Sequence, residues 1–166
     1  MRLPALAYAL SLALLSGMLP GGAQACGQSA DDHCEVADGS YRIAVPEGTQ
    51  PQKVLIWLHG AGGSADGVMK NAVWRDQLAS RGYALIAPQG ILKNYTRYRK
   101  NWAVNDGRPY ARDDVQFLAR VVEDSVARHG LRRDQILLGG FSRGGSMVWD
   151  IACQKPDLAR AYAPVA

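Results

Sequence analysis

The stretch ILLGGFSRGGSMVWD, residues 136–150, is the most informative segment of the sequence for the fold. An apolar run leads into Ser142, which has a glycine two positions before it and another two positions after it, and a segment compatible with a helix follows. This G-x-S-x-G pattern is typical of a sharp strand-to-helix turn that exposes the serine hydroxyl. The helix N-terminus there favours developing negative charge. We therefore predict that Ser142 is a catalytic nucleophile, with helix capping as the alternative.

Three apolar runs predict strands that are buried on both faces, as in a parallel sheet. These runs are residues 53–58, 83–87 and 135–138. Before them, residues 41–45 alternate after the turn signal Asp38-Gly39, which predicts a hairpin that begins near Glu35.

Apolar spacing predicts helices between these strands, over residues 66–80, 113–129 and 145–155. Asp113 or Asp114 is the expected N-cap of the second helix and Gly130 its C-terminal stop. Strand-helix alternation predicts an α/β fold with a mostly parallel sheet and helices on both faces.

Residues 1–25 are predicted to be a cleaved secretory signal. Arg2 precedes an apolar run, residues 6–19, and Ala23-Gln24-Ala25 supplies the small-x-small cleavage pattern. The run is short for a membrane span, so we expect no stable span. The mature chain, residues 26–166, has the length of one domain and is expected to be secreted, extracellular or periplasmic. Lipidation at Cys26 is the alternative.

Charge and cysteine usage also bear on function. The formal net charge is +4 and the basic residues are scattered, which argues against nucleic-acid binding. Cys26 and Cys34 are close enough in sequence to form a disulfide in an oxidising compartment. Cys153 then either lacks its partner or is a small buried residue on a helix. No oligomeric state is predicted.

The sequence HGAGGS, residues 59–64, directly follows the first predicted parallel strand. In an ester hydrolase, such a loop supplies one oxyanion donor and the residue after the nucleophile supplies the other. We predict the N–H groups of Ala61 and Arg143 as these donors, with Gly60 as the alternative to Ala61. His59 is expected to organise the loop rather than to act as a base. A phosphate-binding loop is the other interpretation, but no lysine follows the glycines.

Six segments together resemble secreted α/β-hydrolase esterases of the polyhydroxybutyrate depolymerase and feruloyl esterase type: WLHGAGGS, APQG, NWAVNDG, RDDVQFLARVVED, GGFSRGGSMVWDIAC and YAPVA, in this order. The resemblance implies the α/β-hydrolase fold and cleavage of carboxylic esters through an acyl-enzyme on Ser142, with no metal or cofactor. Expected substrates are polyhydroxyalkanoate or acyl groups on plant polysaccharide. An acyltransferase and a catalytically silent fragment are the alternatives.

The sequence departs from this family in one respect. In the α/β-hydrolase fold the triad acid and histidine follow the nucleophile, but only 24 residues follow Ser142 (166 minus 142) and none is a histidine. We therefore expect an N-terminal part of an esterase, with a C-terminally incomplete sheet and impaired activity. Earlier residues do not substitute, because His33 lies in the N-terminal segment and His129 at a helix end. Turn and cap roles are expected for three carboxylates, namely Asp106, Asp113 and Asp114.

Residues 93–102, KNYTRYRKNW, interleave basic and aromatic side chains. This pattern can mark nucleic-acid contact, but in a secreted chain it favours one wall of a substrate cleft. Tyr95 and Trp102 are the predicted substrate contacts.

Overall fold

The computed structural model describes residues 26–27, 31–46, 48, 53–92 and 99–166. The predicted signal, residues 1–25, and the predicted substrate contact Tyr95 lie outside the described residues. Within the described ranges, no helix is long and apolar enough to cross a membrane.

Six strands and four α-helices make up the described fold. The strands are β1 (Cys34–Val36), β2 (Gly39–Ala44), β3 (Lys53–Leu58), β4 (Tyr83–Pro88), β5 (Ile136–Phe141) and β6 (Ala161–Val165). The helices are α1 (Ala65–Met69), α2 (Ala72–Ala79), α3 (Asp114–His129) and α4 (Arg143–Gln154), and a 3₁₀ turn spans Arg133–Gln135.

The strands form one sheet in the order β1-β2-β4-β3-β5-β6. β1 and β2 are an antiparallel hairpin, and β2 also runs antiparallel to β4. From β4 through β3 and β5 to β6 all pairings are parallel. The predicted α/β class with a mostly parallel sheet is therefore confirmed, and the hairpin turn lies at Ala37-Asp38, one residue earlier than the turn signal.

Side chains alternate between the two faces of the sheet, because successive residues of a strand point in opposite directions. In β3, Val54, Ile56 and Leu58 pack in the larger core with α3 and α4. Leu55 and Trp57 face the smaller core with α1 and α2. Both faces of the sheet therefore carry helices, as the buried strands predict.

The start and end of α3 match the sequence signals. The Asp113 carboxylate accepts a hydrogen bond from the backbone N–H of Gln116 at 3.0 Å, which makes it the N-cap. Gly130 ends the helix with φ 64°, a left-handed conformation that glycine adopts without steric cost.

The predicted helix over 66–80 is wrong in one respect, because the structure divides it into α1 and α2. Asn71 lies between them, and its side chain accepts a hydrogen bond from the Trp74 N–H at 3.1 Å, which begins a new helix. Val73, in the first turn of α2, is 70% exposed. Strand β5 is also longer than predicted, because it continues through both glycines to Phe141.

One buried ion pair fixes the segment that leads into α3. Arg112 donates to the Asp114 carboxylate, and both side chains are almost fully buried. Arg112 also donates to the backbone oxygens of Asp38 at 3.1 Å and Gln89 at 3.2 Å. The pair therefore ties the hairpin turn, the loop after β4 and the start of α3 together at the end of the sheet where the parallel strands finish.

The structure joins Cys26 and Cys34 in a disulfide. Cys153 is a free, exposed residue on α4, so the interpretation that it is a buried apolar residue is wrong.

Candidate active site

Ser142 occupies the turn between β5 and α4 in a conformation that a side-chain-bearing residue rarely adopts. Its φ is 53° and its ψ −118°, and such conformations cluster at functional sites. Its N–H donates to the Val165 carbonyl of β6 at 2.7 Å. Its side chain makes no capping hydrogen bond and the residue is exposed. Helix capping therefore does not explain the serine, and its hydroxyl is available to a substrate.

The glycines around Ser142 are required by close packing. A Cβ on Gly140 would lie 2.6 Å from the backbone of Gly144, and a Cβ on Gly145 would lie 2.5 Å from the Val165 oxygen. A Cβ on Gly144 would overlap the carbonyl oxygen of Leu58. These contacts press the start of α4 against β3 and β6, which holds the sharp turn in place.

The loop after β3 lies directly beside Ser142. A Cβ on Gly60 would be 3.6 Å from the Ser142 Cβ and 3.3 Å from the Phe141 ring. A tight turn shapes the loop, since the Gly63 N–H donates to the Gly60 oxygen at 3.0 Å. Ala61 is exposed at the tip of this turn. The structure thus brings the predicted loop of Gly60 and Ala61 together with the N-terminus of α4, where Arg143 carries one of the unpaired first-turn N–H groups.

His59 lies beneath this loop, in the core, and is only 4% exposed. Its Nδ1 lies 2.8 Å from the Gly60 oxygen, and its Nε2 accepts from the Gly90 N–H at 3.1 Å. This pattern assigns the proton to Nδ1. Burial lowers the pKa of His59 below its usual range. Both ring nitrogens are therefore engaged, and His59 is not placed to act as a base on Ser142.

The prediction that Trp102 contacts substrate is wrong, because its side chain is fully buried. The indole Nε1 donates to the backbone oxygen of His59 at 2.7 Å, and the two rings lie 5.1 Å apart. A Cβ on Gly90 would lie 2.9 Å from the indole. Trp102 therefore supports the loop after β3 from inside the core.

Sequence reasoning missed the partners of the Arg143 side chain. Its guanidinium donates to the Asp106 carboxylate at 2.8 Å and to the Tyr110 hydroxyl at 2.7 Å. The hydrogen bond from Arg143 holds the pKa of Asp106 below its usual range. Asp106 therefore ties its loop to the residue after the nucleophile, a role beyond the turn residue predicted for it.

The two other histidines are engaged away from Ser142. His33 Nε2 lies 3.9 Å from the Asp66 carboxylate. His129 Nε2 lies 3.8 Å from the Cys26 sulfur and 3.7 Å from the Cys34 sulfur. Because those sulfurs are bonded to each other, they do not offer thiolates to a metal ion. None of the three histidines in the sequence thus hydrogen-bonds to the serine among the described residues.

An apolar groove of about 410 Å³ opens beside the turn. Its aromatic walls are Trp57 of β3, Trp74 of α2 and Phe141 of β5, and its floor reaches Gly60. The Trp57 and Trp74 rings meet edge to face at 5.2 Å. Sequence reasoning did not predict this groove. The signal that could have indicated it is Trp57, a bulky aromatic residue in an otherwise aliphatic strand.

A family model and several known proteins match this chain. The family model described as phospholipase/carboxylesterase matches residues 40–162. A protein named "Probable feruloyl esterase C" from Aspergillus niger is 24% identical over 165 residues, 93% of this chain and 57% of its own length. The chain therefore spans little more than half of that relative.

Solved structures share the fold at low sequence identity. The acetyl xylan esterase from Aspergillus awamori matches 75% of this chain with a TM-score of 0.59 and 18% identity, over 45% of its own length. A fluorophosphonate-binding serine hydrolase of Staphylococcus aureus matches 76% with a TM-score of 0.58 and 19% identity, over 50% of its own length. These matches confirm the α/β-hydrolase-like fold.

Proposed function

Because this chain belongs to the phospholipase/carboxylesterase family, we propose that it is the nucleophile-bearing part of a serine carboxylic ester hydrolase. Ser142 Oγ attacks the ester carbonyl, the alcohol leaves, and water then hydrolyses the acyl-enzyme. The observation that carries this proposal is the left-handed turn at Ser142, which leaves the hydroxyl exposed and uncapped at a helix N-terminus.

The proposed oxyanion hole consists of the N–H groups of Arg143 and Ala61. The Arg143 N–H lies at the start of α4. The Ala61 N–H follows Gly60, where an added Cβ would lie 3.6 Å from the Ser142 Cβ. Preorganised N–H donors of this kind stabilise the tetrahedral intermediate, and one such donor contributes roughly 3–4 kcal/mol in a serine hydrolase. The buried His59 and Trp102 hold the loop so that it need not reorganise during the reaction.

Activation of the serine requires a base, and no histidine of the described residues is placed to act as one on Ser142. A serine hydroxyl is a weak nucleophile at neutral pH without an adjacent general base. His59 has both nitrogens engaged, the Nε2 of His33 lies 3.9 Å from the Asp66 carboxylate, and His129 lies at the disulfide. We therefore propose that Ser142 of the 166-residue chain reacts slowly with esters. An imidazole provided from elsewhere should accelerate this reaction.

The proposed substrates are polyhydroxyalkanoate or acyl esters on polysaccharide. Support comes from the resemblance to polyhydroxybutyrate depolymerases and from the A. niger relative, whose name is that of a feruloyl esterase. We also propose that the protein is secreted. The Cys26–Cys34 disulfide supports this, since disulfides persist in oxidising compartments.

The test is acyl-enzyme formation by the 166-residue chain with 4-nitrophenyl acetate, followed by intact mass and peptide mapping. We expect an acetyl group on Ser142 that accumulates faster when free imidazole is added, and no acetylation at that peptide in Ser142→Ala. Acetylation that is unchanged in Ser142→Ala would overturn the proposal. Product analysis with added alcohol separates hydrolysis from acyl transfer.

A further inference from the structure

The segment of residues 100–106, between β4 and α3, is hydrogen-bonded to the loop after β3 at two points. The backbone oxygen of Lys100 accepts a hydrogen bond from the Gly62 N–H at 2.8 Å. The indole Nε1 of Trp102 donates to the backbone oxygen of His59 at 2.7 Å. These two bonds lie on either side of the residue that carries one proposed oxyanion donor. The segment therefore holds this loop both before and after that donor.

The same segment is fastened to the side chain of Arg143, the residue that carries the other proposed donor. The Arg143 guanidinium donates to the Asp106 carboxylate at 2.8 Å, to the Tyr110 hydroxyl at 2.7 Å and to the Trp102 backbone oxygen at 3.4 Å. The Tyr110 hydroxyl in turn donates to Asp106 at 2.9 Å. The side chains of Arg143 and Asp106 are each only 24% exposed, so water competes less for these hydrogen bonds than at an open surface. Asp106 therefore makes the shortest contact between the segment itself and Arg143.

Backbone hydrogen bonds to two helices hold the segment itself in place. The Ala103 N–H donates to the buried Asp114 carboxylate of α3 at 2.7 Å. The Asn105 N–H donates to the Asp150 carboxylate of α4 at 2.6 Å. Between these points the segment is anchored by the Trp102 side chain, which is fully buried. Residues bound in this way to α3, α4 and the core form a firm connection between the loop after β3 and the start of α4.

We propose that residues 100–106 are a brace that sets the relative position of the two oxyanion donors, and that Asp106 is the positioning residue that fastens the brace to Arg143. The inference rests on the proposed function, which supplies the donors Ala61 and Arg143. Residues 60–63 include three glycines, so this loop has little rigidity of its own. Preorganised donors need no rearrangement when negative charge develops, and a displacement of about 1 Å can slow a reaction roughly 10²-fold. The brace would supply the rigidity that the glycines lack.

The first test measures labelling of Ser142 by a fluorophosphonate probe, with imidazole present, over a range of probe concentrations. This separates the probe's binding constant, KI, from the maximal labelling rate constant, kinact. We expect Asp106→Ala to lower kinact at least about tenfold and to change KI less than about twofold, because the donors act on charge that develops in the transition state. Partial unfolding would instead lower the labelled fraction and leave kinact of the folded protein unchanged. An unchanged kinact, or an effect on KI alone, would overturn the proposal.

Two further variants are matched to Asp106→Ala. Asp106→Asn keeps an oxygen that accepts from Arg143, so we expect kinact within about threefold of the wild-type value. Asp134→Ala removes the partner of Arg132 from an Arg–Asp pair at 2.7 Å in the 3₁₀ turn before β5, at the other end of that strand from Ser142. This control should leave kinact unchanged. Equal losses in Asp106→Ala and Asp134→Ala, or an Asp106→Asn variant as slow as Asp106→Ala, would contradict the assignment.

The second test does not depend on the reactivity of Ser142. We expect the Gly62 amide of ¹⁵N-labelled Asp106→Ala to exchange with solvent at least about threefold faster than in the wild type, since local opening sets the exchange rate of a hydrogen-bonded amide. Asp134→Ala should leave this rate unchanged. Unchanged exchange at Gly62 in Asp106→Ala would overturn the brace. Faster exchange there, with no labelling of Ser142 in the wild type, would support the brace and contradict the proposed nucleophile, so the two failures are distinguishable.

Discussion

The indole Nε1 of Trp102 donates a hydrogen bond to the backbone oxygen of His59 at 2.7 Å, inside the core. Trp102→Phe keeps the aromatic packing and removes the donor, which leaves a buried carbonyl unpaired. We expect a loss of about 1–3 kcal/mol in the free energy of unfolding, measured by urea titration. Trp149→Phe, at a 62% exposed position on α4, is the control and should change stability by less than about 0.5 kcal/mol. Equal losses would show that the bond to His59 is not stabilising.

Gly144 tests the close packing of α4 against β3. In Gly144→Ala the new methyl would overlap the Leu58 oxygen and lie 2.7 Å from the His59 oxygen. Backbone atoms cannot move aside easily, so we expect destabilisation of about 1–3 kcal/mol despite the better helix propensity of alanine. In Gly67→Ala on α1 the methyl meets only the Ser64 hydroxyl at 3.4 Å, and stability should be unchanged or higher. Thermal melting measures both changes, and equal melting temperatures for the two variants would contradict the predicted overlap at Gly144.

The backbone at Ser142 stores strain that glycine would relieve. Because φ is 53° there, Ser142→Gly should unfold with a free energy about 1 kcal/mol higher than Ser142→Ala. Both variants lose the hydroxyl, so the difference isolates the backbone. Equal stabilities in urea titration would mean that the turn is not strained.

Acid should destabilise the protein partly through His59. Burial holds its pKa below the unfolded value, so the unfolded state binds the proton first. This contribution to stability is complete above the unfolded pKa of about 6.5 and declines as the pH falls towards the folded pKa, by at most about 1.4 kcal/mol per pH unit. Burial also lowers the pKa of His129, which acts in the same range.

Melting curves measured between about pH 5 and pH 8 test the contribution of His59. His59→Asn should flatten the pH dependence of the melting temperature, because asparagine does not titrate in this range while burial lowers the pKa of His59. An unchanged slope in His59→Asn would place the acid sensitivity elsewhere.

The sequence predicted features that depend on local patterns. The strand over Lys53–Leu58, the caps of α3 and the turn at Ser142 each follow from spacing and from the special conformations of a few residues. The break at Asn71 was missed because Ala72–Ala79 continues a helical pattern, and only the side-chain cap interrupts it.

Features that depend on long-range packing were not predictable in the same way. Trp102 ends a segment of basic and aromatic residues, whereas Trp57 lies in an apolar strand. Nevertheless Trp102 is fully buried beneath the loop and Trp57 lines an open groove. Which face of a sheet remains uncovered depends on the helices that pack there, and the pairing of Arg143 with Asp106 joins residues 37 positions apart. No spacing rule within one segment reports such contacts.

We propose Ser142 as a nucleophile held in its turn, and among the described residues no histidine is placed to activate it. A fluorophosphonate probe tests this proposal most directly, with the labelled residue identified by peptide mass spectrometry and the rate measured with and without imidazole. We expect a slow adduct on Ser142 alone and no adduct in Ser142→Ala. Imidazole should speed the labelling at least about tenfold, since general base catalysis contributes at least this much. An adduct on another residue, or rapid stoichiometric labelling of Ser142 without imidazole, would contradict it.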